Sequence, residues 1–109
     1  MEYKLGVKDR LMLLGVLPAE GALATIRIVN ELRLALAMNE AEYADLQVIE
    51  GDGQLNWNQA AEAAAGPRAI EIGAKGQEII RKALGKLDKD EKLAADHISI
   101  CDIFEYTGD

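Results

Sequence analysis

The spacing of apolar and polar positions divides the chain into short elements. Residues 19–38, AEGALATIRIVNELRLALAM, form the longest stretch whose apolar positions follow helical spacing. Pro18 ends any helix before this stretch, and Glu20 would then lie in the first turn, where the helix dipole favours a carboxylate. A helix that is apolar over most of its circumference is normally buried. We therefore predict a buried central helix over residues 19–38.

Helical spacing recurs in several shorter segments. Asn39 is suited to cap a short helix that runs to about Asp45, with glutamates in its first turn. The other predicted helices cover residues 8–17, 73–87 and 90–106, and a single helical turn covers residues 59–65.

Residues 46–58, LQVIEGDGQLNWN, change to a period of two, which is typical of a half-buried strand. Asp52 and Gly53 form a strong signal for a two-residue hairpin turn, because both positions tolerate positive φ. This turn pairs Glu50 with Leu55. That register determines on which of the two faces of the hairpin each remaining residue lies. The apolar face of the hairpin contains Leu46, Val48, Leu55 and Trp57.

Residues 69–73, AIEIG, also alternate, and we predict a third strand that packs on the hairpin. On this hairpin Trp57 is expected to be mostly buried against Val48 and the central helix. The chain is thus predicted to be a single α+β domain over residues 1–109. Four to five helices would surround the central helix, beside a three-stranded antiparallel sheet made of the hairpin plus one strand.

Charge is unevenly distributed along a chain whose net charge is −7. No lysine or arginine occurs between Arg33 and Arg68, and half of the twelve basic residues follow Gly73. A nucleic-acid-binding protein needs a net basic face, so we expect no direct contact with nucleic acid. The carboxylates of the acidic interval are Glu40, Glu42, Asp45, Glu50, Asp52 and Glu62. The basic residues that follow are Lys75, Arg81, Lys82, Lys86, Lys89 and Lys92.

The acidic interval has three interpretations: a solvated surface, a docking site for a basic protein, or a mimic of nucleic-acid phosphates. If the basic helix folds back on the acidic interval, the charges neutralise one another. If it does not, the molecule has a negative and a positive face. Our hypothesis is that a partner binds a surface formed by Glu40, Glu42, Asp45, Glu50 and Asp52.

Candidate catalytic and metal-binding groups are few, because the chain has a single serine, histidine and cysteine. Ser99 and His97 are two residues apart on a predicted helix and point to different sides. His97, Cys101 and Glu105 recur every four residues, a spacing that could place three zinc ligands in line. Their apolar neighbours favour packing instead. We expect no enzyme activity, no metal and no cofactor. The lone cysteine excludes an intrachain disulfide and favours a reducing compartment.

Several motifs resemble short uncharacterised proteins that bacteriophages and prophages encode. They are DRLMLLGVLPAEG at 9–21, Thr25-Ile26, Val29, Trp57-Asn58, IEIG at 70–73 and Ala83-Leu84. The resemblance implies a location in the cytoplasm of a bacterial host or in the virion, and it implies no activity.

We therefore expect a non-enzymatic, phage-type protein-interaction module that serves as a virion or assembly accessory protein. The alternative is an inhibitor of a host nuclease or defence complex that acts through its acidic surface. The expected partner is a phage structural protein, a host protein or a second copy of the chain. No membrane contact is expected, because the apolar run LMLLGVL is far shorter than the ~20 residues of a spanning helix.

Overall fold

The computed structural model describes residues 1–51 and 53–108, which form helices and two small antiparallel sheets. The predicted α+β class is confirmed. The strands are β1 (Glu2–Leu5), β2 (Ile49–Gly51), β3 (Gln54–Asn56) and β4 (Arg68–Glu71). The helices are α1 (Val7–Val16), α2 (Leu23–Leu36), α3 (Glu40–Asp45), α4 (Gln59–Ala65), α5 (Ala74–Lys89) and α6 (Ile98–Ile103), with a 3-10 turn at Ala95–His97.

The sheet topology corrects the prediction of one three-stranded sheet. The hairpin register is as predicted, with Glu50 opposite Leu55, but β2 and β3 pair only with each other in the described residues. β4 pairs instead with the N-terminal strand β1, and Tyr3 lies opposite Ile70. The reason is burial: β1 and β4 bring Tyr3 and Ile70 into the core, whereas every described residue of β2 is exposed.

The core lies where β1, α1, α5 and α6 meet. The ring of Tyr3 lies 4.5 Å from that of Phe104, centroid to centroid, which joins the first strand to the end of α6. These contacts link the two ends of the chain and close the domain around one core. The side chains with no exposed surface are Leu5, Leu13, Ile80, Leu84, Ile100 and Phe104.

Helix α2 is shorter and more exposed than predicted. It begins at Leu23 after the cap residue Ala22, so Glu20 lies outside its first turn. Packing against α1 and α5 buries one face of α2, while Leu34 on the other face remains 73% exposed. The prediction of a helix buried around most of its circumference is therefore wrong. Helical spacing identifies apolar positions but does not reveal how many sides a neighbour covers.

The last predicted helix is also corrected, because the structure divides residues 90–106. α5 runs through to Lys89, and Glu91 takes a positive φ of 57° at the chain reversal that follows. The backbone N–H of Lys92 donates to the carbonyl of Leu87 and closes that reversal. Helix α6 therefore begins only at Ile98.

Candidate functional site

Arg10 is a buried charge at the centre of the polar network in this fold. Helix α1 carries it on the same side as Leu13, and it is only 2% exposed. Its Nε donates to the carbonyl of Leu36 at 2.9 Å and its Nη2 to that of Ala37 at 3.0 Å. Arg10 thus satisfies two carbonyls that the C-terminal end of α2 leaves without intrahelical partners.

Glu42 neutralises Arg10 and joins α3 to this network. Its carboxylate accepts from Nη1 of Arg10 at 2.6 Å and from Nη2 at 3.0 Å. Arg68 adds a third contact at 2.8 Å. Glu42 also accepts from the backbone N–H of Asn39, whose side chain accepts from the N–H of Glu42, so the two residues form a capping box. The hydrogen bond from Arg10 is the main reason that the pKa of Glu42 lies below its ordinary value, although burial opposes the shift.

The predicted partner-binding residues therefore separate into two groups. Glu42 is 22% exposed and its carboxylate is held by two arginines. Glu40, Asp45 and Glu50 are exposed, and Asp52 lies outside the described residues. The backbone N–H of Val48 donates to the carbonyl of Tyr43 at 3.1 Å, which holds the hairpin against the end of α3. We call the exposed residues Glu40, Tyr43 and Asp45 of α3, together with Ile49 and Glu50 of the adjoining β2, the acidic edge.

The acidic edge combines carboxylates with exposed apolar side chains. Ile49 is 66% exposed and Tyr43 is 38% exposed. Large exposed hydrophobic residues among charges are a common feature of protein-binding surfaces. The acidic edge can therefore offer a partner both charge and apolar contact area.

Glu62, the remaining carboxylate of the acidic interval, has a structural role. Its Oε2 accepts from the backbone N–H of Val7 at 2.7 Å, at the start of α1. The cap residue of α1 makes no side-chain hydrogen bond of its own, so Glu62 supplies an acceptor there. Its Oε1 accepts from the indole Nε1 of Trp57 at 2.8 Å. Trp57 keeps only a minor part of its surface exposed, which agrees with the expectation of a mostly buried tryptophan. The N–H edge of its ring lies against Glu62, because the indole N–H of a buried tryptophan usually finds a hydrogen-bond acceptor.

The lysines of α5 do not neutralise the acidic interval. The ion pairs within residues 1–51 and 53–108 join the N-terminus to Glu71, Lys8 to Asp96, and Arg10 and Arg68 to Glu42. None of these pairs uses a lysine that follows Gly73. Within the described residues, therefore, no ion pair joins the acidic interval to the lysines of α5.

A groove with an apolar floor runs between α2 and α5, with a volume of about 800 Å³. Its apolar lining includes Ile28 of α2, Ile79, Ala83 and Leu87 of α5, and Val16 of α1. All five side chains are partly buried, so they keep some exposure to solvent. We call this feature the lysine groove, after the residues of its rim.

Three lysines of α5 lie next to the apolar floor of the groove, within a rim that also carries carboxylates. Lys75, Lys82 and Lys86 recur at helical spacing and form one stripe along α5, directly beside the apolar stripe. Glu78 falls on the far side of that stripe, away from the floor. The other charged residues that line the groove are Glu20, Asp90 and Lys92.

A second depression, of about 930 Å³, lies between α5 and residues 105–108. Its lining is mostly polar and charged, including Arg81, Asp88 and Lys89. A docking site for a protein needs apolar area as well as charge, and the lysine groove offers more apolar area than this depression does.

The acidic edge and the lysine groove lie at opposite ends of α2. The groove is lined by Ala24, Thr25 and Ile28 near its N-terminal end, whereas Glu40 follows shortly after its C-terminal end at Leu36. Ala24 and Leu36 are ~18 Å apart along the helix axis. One molecule therefore cannot place its own acidic edge in its own groove.

His97 lies at the start of α6 and Cys101 within that helix. Nδ1 of His97 accepts from the backbone N–H of Ala94 at 2.9 Å, which places this ring nitrogen in a turn. Burial, with smaller effects of Asp102 and Asp88, raises the pKa of Cys101, so the thiol is protonated near neutral pH and is a poor nucleophile. Glu105 lies beyond the end of α6. Within the described residues, no three His, Cys, Asp or Glu side chains converge as metal ligands.

Two sequence signals could have revealed the structural role of Glu42. Arg10 lies on the apolar face of its helix, in line with Val7, Leu13 and Leu17, and a charge at such a position requires a partner. Asn39 and Glu42 have the spacing of a capping box, which engages the glutamate side chain. The lysine groove could not be inferred in this way, because α2 and α5 are far apart in sequence.

Comparisons with protein-family models, curated proteins and solved structures find no match to this chain. The resemblance to phage proteins therefore stays a prediction. In the described residues, no helix is both long and apolar enough to cross a membrane.

Proposed function

We propose that this protein is a non-enzymatic protein-interaction module that binds its partners through two oppositely charged surfaces, the acidic edge and the lysine groove. The observation that carries the proposal is their separation: no ion pair of the described residues joins them, and α2 holds them apart. Surfaces with unneutralised charge steer oppositely charged partners and select among them.

The non-enzymatic part of the proposal is supported by the chemistry of the few reactive side chains. The thiol of Cys101 is protonated near neutral pH, because burial raises its pKa. One ring nitrogen of His97 is occupied by a backbone contact. The thiol of Cys101 therefore lacks the activated state that nucleophilic catalysis requires, and His97 has only its other ring nitrogen left for a substrate.

In the setting that the resemblance implies, the module would serve as a virion or assembly accessory protein. The experiment is affinity capture with the purified protein from uninfected and phage-infected bacterial lysates, followed by mass spectrometry. We expect a phage structural protein among the captured partners. Capture of a host nuclease, together with inhibition of its activity, would instead establish the alternative role as an inhibitor.

Two charge variants assign the captured partner to a surface. Glu40→Lys with Glu50→Lys reverses the acidic edge, and the matched control Glu2→Lys with Glu31→Lys makes the same change in net charge at exposed residues elsewhere. A basic partner that docks at the edge should associate more slowly with the edge variant and show a weaker dependence on ionic strength. Equal association rates for the edge variant, the control and the wild type would exclude the acidic edge as a binding surface.

A further inference from the structure

We infer that the lysine groove receives the acidic edge of a second copy of this chain, so that molecules associate edge to groove. The inference rests on the proposed function, because it takes both surfaces as binding surfaces and names one partner for them. The two surfaces are complementary in charge and in apolar content, and both are present on every molecule.

The charge complementarity is local. Lys75, Lys82 and Lys86 form a stripe beside the groove floor, and the described structure pairs none of them with a carboxylate. Glu40 and Glu50 of the acidic edge are likewise exposed and unpaired in the described residues. Contact between the two surfaces would bring opposite charges together around a core from which water is excluded, the arrangement typical of specific interfaces.

The apolar groups also match. The groove floor offers the partly exposed side chains of Ile28, Ile79 and Leu87. The acidic edge offers Ile49 and Tyr43, which would lose much of their exposed apolar surface on docking. From Lys75 to Lys86 the rim extends ~17 Å, which is long enough for α3 and the adjoining hairpin to lie along it.

The location of the surfaces permits two kinds of symmetry. Because they lie at opposite ends of α2, a molecule that fills the groove of its neighbour still has its own groove open. Such a contact between different surfaces of identical subunits is heterologous, and it produces a ring when the rotation closes or a filament when it does not. A two-fold dimer would instead place the acidic edge of each copy in the lysine groove of the other, so that both contacts form at once.

Net charge opposes the association only at long range. Each copy carries a net charge of −7, so two copies repel at a distance. At an ionic strength of about 0.15 M the Debye length is about 8 Å, so this repulsion is screened while pairs in contact are screened much less. The tests are therefore designed for this ionic strength.

The experiment measures association of the full chain by sedimentation velocity over micromolar to millimolar concentrations. The edge-reversed variant carries Glu40→Lys and Glu50→Lys, and the groove-reversed variant carries Lys82→Glu and Lys86→Glu. We expect the wild type to associate reversibly. Each variant alone should require at least about tenfold higher concentration for half-association, because like charges then meet at the contact.

Mixing the two variants in equal amounts is the decisive measurement. The reversed edge of one variant is complementary to the reversed groove of the other, and the unchanged edge and groove are complementary as well. We therefore expect the mixture to associate at about the wild-type concentration. Neither a purely structural effect nor a general effect of net charge would restore association on mixing.

A matched control pair separates the contact from bulk electrostatics. Glu2→Lys with Glu31→Lys and Lys4→Glu with Lys89→Glu reproduce the two net charges at exposed residues outside both surfaces. All eight substituted positions are exposed, so circular dichroism should show the same fold and nearly the same melting temperature. Ile49→Ser tests the apolar component and should weaken wild-type association with no change of charge.

Two results would overturn the inference. One is a wild-type chain that stays monomeric across the whole concentration range. The other is a mixture of the reversed variants that associates no better than the mixture of the control pair. If the chain is monomeric but a captured partner is lost on reversing the edge, the proposed function stands and the second copy is excluded. If the edge variant behaves as wild type in both experiments, the proposed use of the acidic edge fails as well.

Discussion

The guanidinium of Arg10 and the carboxylate of Glu42 form a bidentate ion pair, with distances of 2.6 and 3.0 Å, that closes the corner between α2 and α3. Arg10 is almost fully buried and also binds the last carbonyls of α2, so one side chain holds α1, α2 and α3 together. Bidentate pairs of this kind are geometrically specific. The pair determines where α3 leaves α2, and hence where the acidic edge begins.

Glu42→Gln should destabilise the fold by about 3 kcal/mol, because it leaves the buried charge of Arg10 without its counter-charge. The residual contacts of Arg10 with the carbonyls of Leu36 and Ala37 do not supply a negative charge. Urea unfolding at neutral pH measures the change. Glu40→Gln is the matched control, since Glu40 is exposed on the same helix and should alter stability by less than about 0.5 kcal/mol. Equal stability of the two variants would contradict a structural role for the pair.

The same pair predicts a dependence of stability on pH. The hydrogen bond from Arg10 holds the pKa of Glu42 below its ordinary value near 4.5. Because the folded protein binds this proton less readily than the unfolded chain, the contribution of Glu42 is complete above about pH 5. It is lost as the pH falls through the lowered pKa. The stability difference between wild type and Glu42→Gln, measured by urea unfolding from roughly pH 7 to pH 3, should therefore shrink only at the acidic end. A difference that stays constant across this range would argue against the shift.

Glu62→Ala should cost about 2–3 kcal/mol, because it removes acceptors from the N–H of Val7 and the indole of Trp57. Glu62→Gln should cost less, since its amide oxygen can still accept one of the two hydrogen bonds. Glu50→Ala, in the same acidic interval but exposed, provides the control. Thermal unfolding ranks the three variants, and tryptophan emission reports whether Trp57 becomes more exposed. Identical melting of Glu62→Ala and Glu50→Ala would show that these hydrogen bonds contribute nothing.

Two glycines of α5 should respond in opposite directions to alanine. At Gly85 a Cβ would lie 3.6 Å from the ring of Tyr106, an ordinary contact, so Gly85→Ala should stabilise by about 0.5–1 kcal/mol through helix propensity. At Gly76 a Cβ would lie 3.0 Å from Cγ2 of Ile72 and 3.3 Å from Cδ2 of Leu32. Overpacking there should offset the gain and make Gly76→Ala less stable than Gly85→Ala by about 1–3 kcal/mol. If Gly76→Ala proved more stable than Gly85→Ala, α2 and α5 would be able to move apart with no loss of folding free energy.

Features that depend on neighbours in the sequence were predictable from the sequence alone. Asn39 caps α3 as predicted, because a cap needs only a side chain that reaches an N–H three residues ahead. The register of Glu50 opposite Leu55 was predictable as well, because the alternation of the flanking residues and the turn length decide it. Gly53 has the positive φ, 74°, that the turn required.

Features that depend on competition between distant segments were decided by the tertiary structure. β4 pairs with β1 because Tyr3 and Ile70 bury more apolar surface there than the exposed hairpin could offer. Residues 19–38 read as a buried helix, yet only one face of α2 has neighbours to cover it. Glu42 read as a surface charge until Arg10, remote in sequence, was brought within 2.6 Å of it. Spacing along a chain reveals which side chains share a face of a helix or strand. Burial and ion pairing depend instead on which segments pack together in the core.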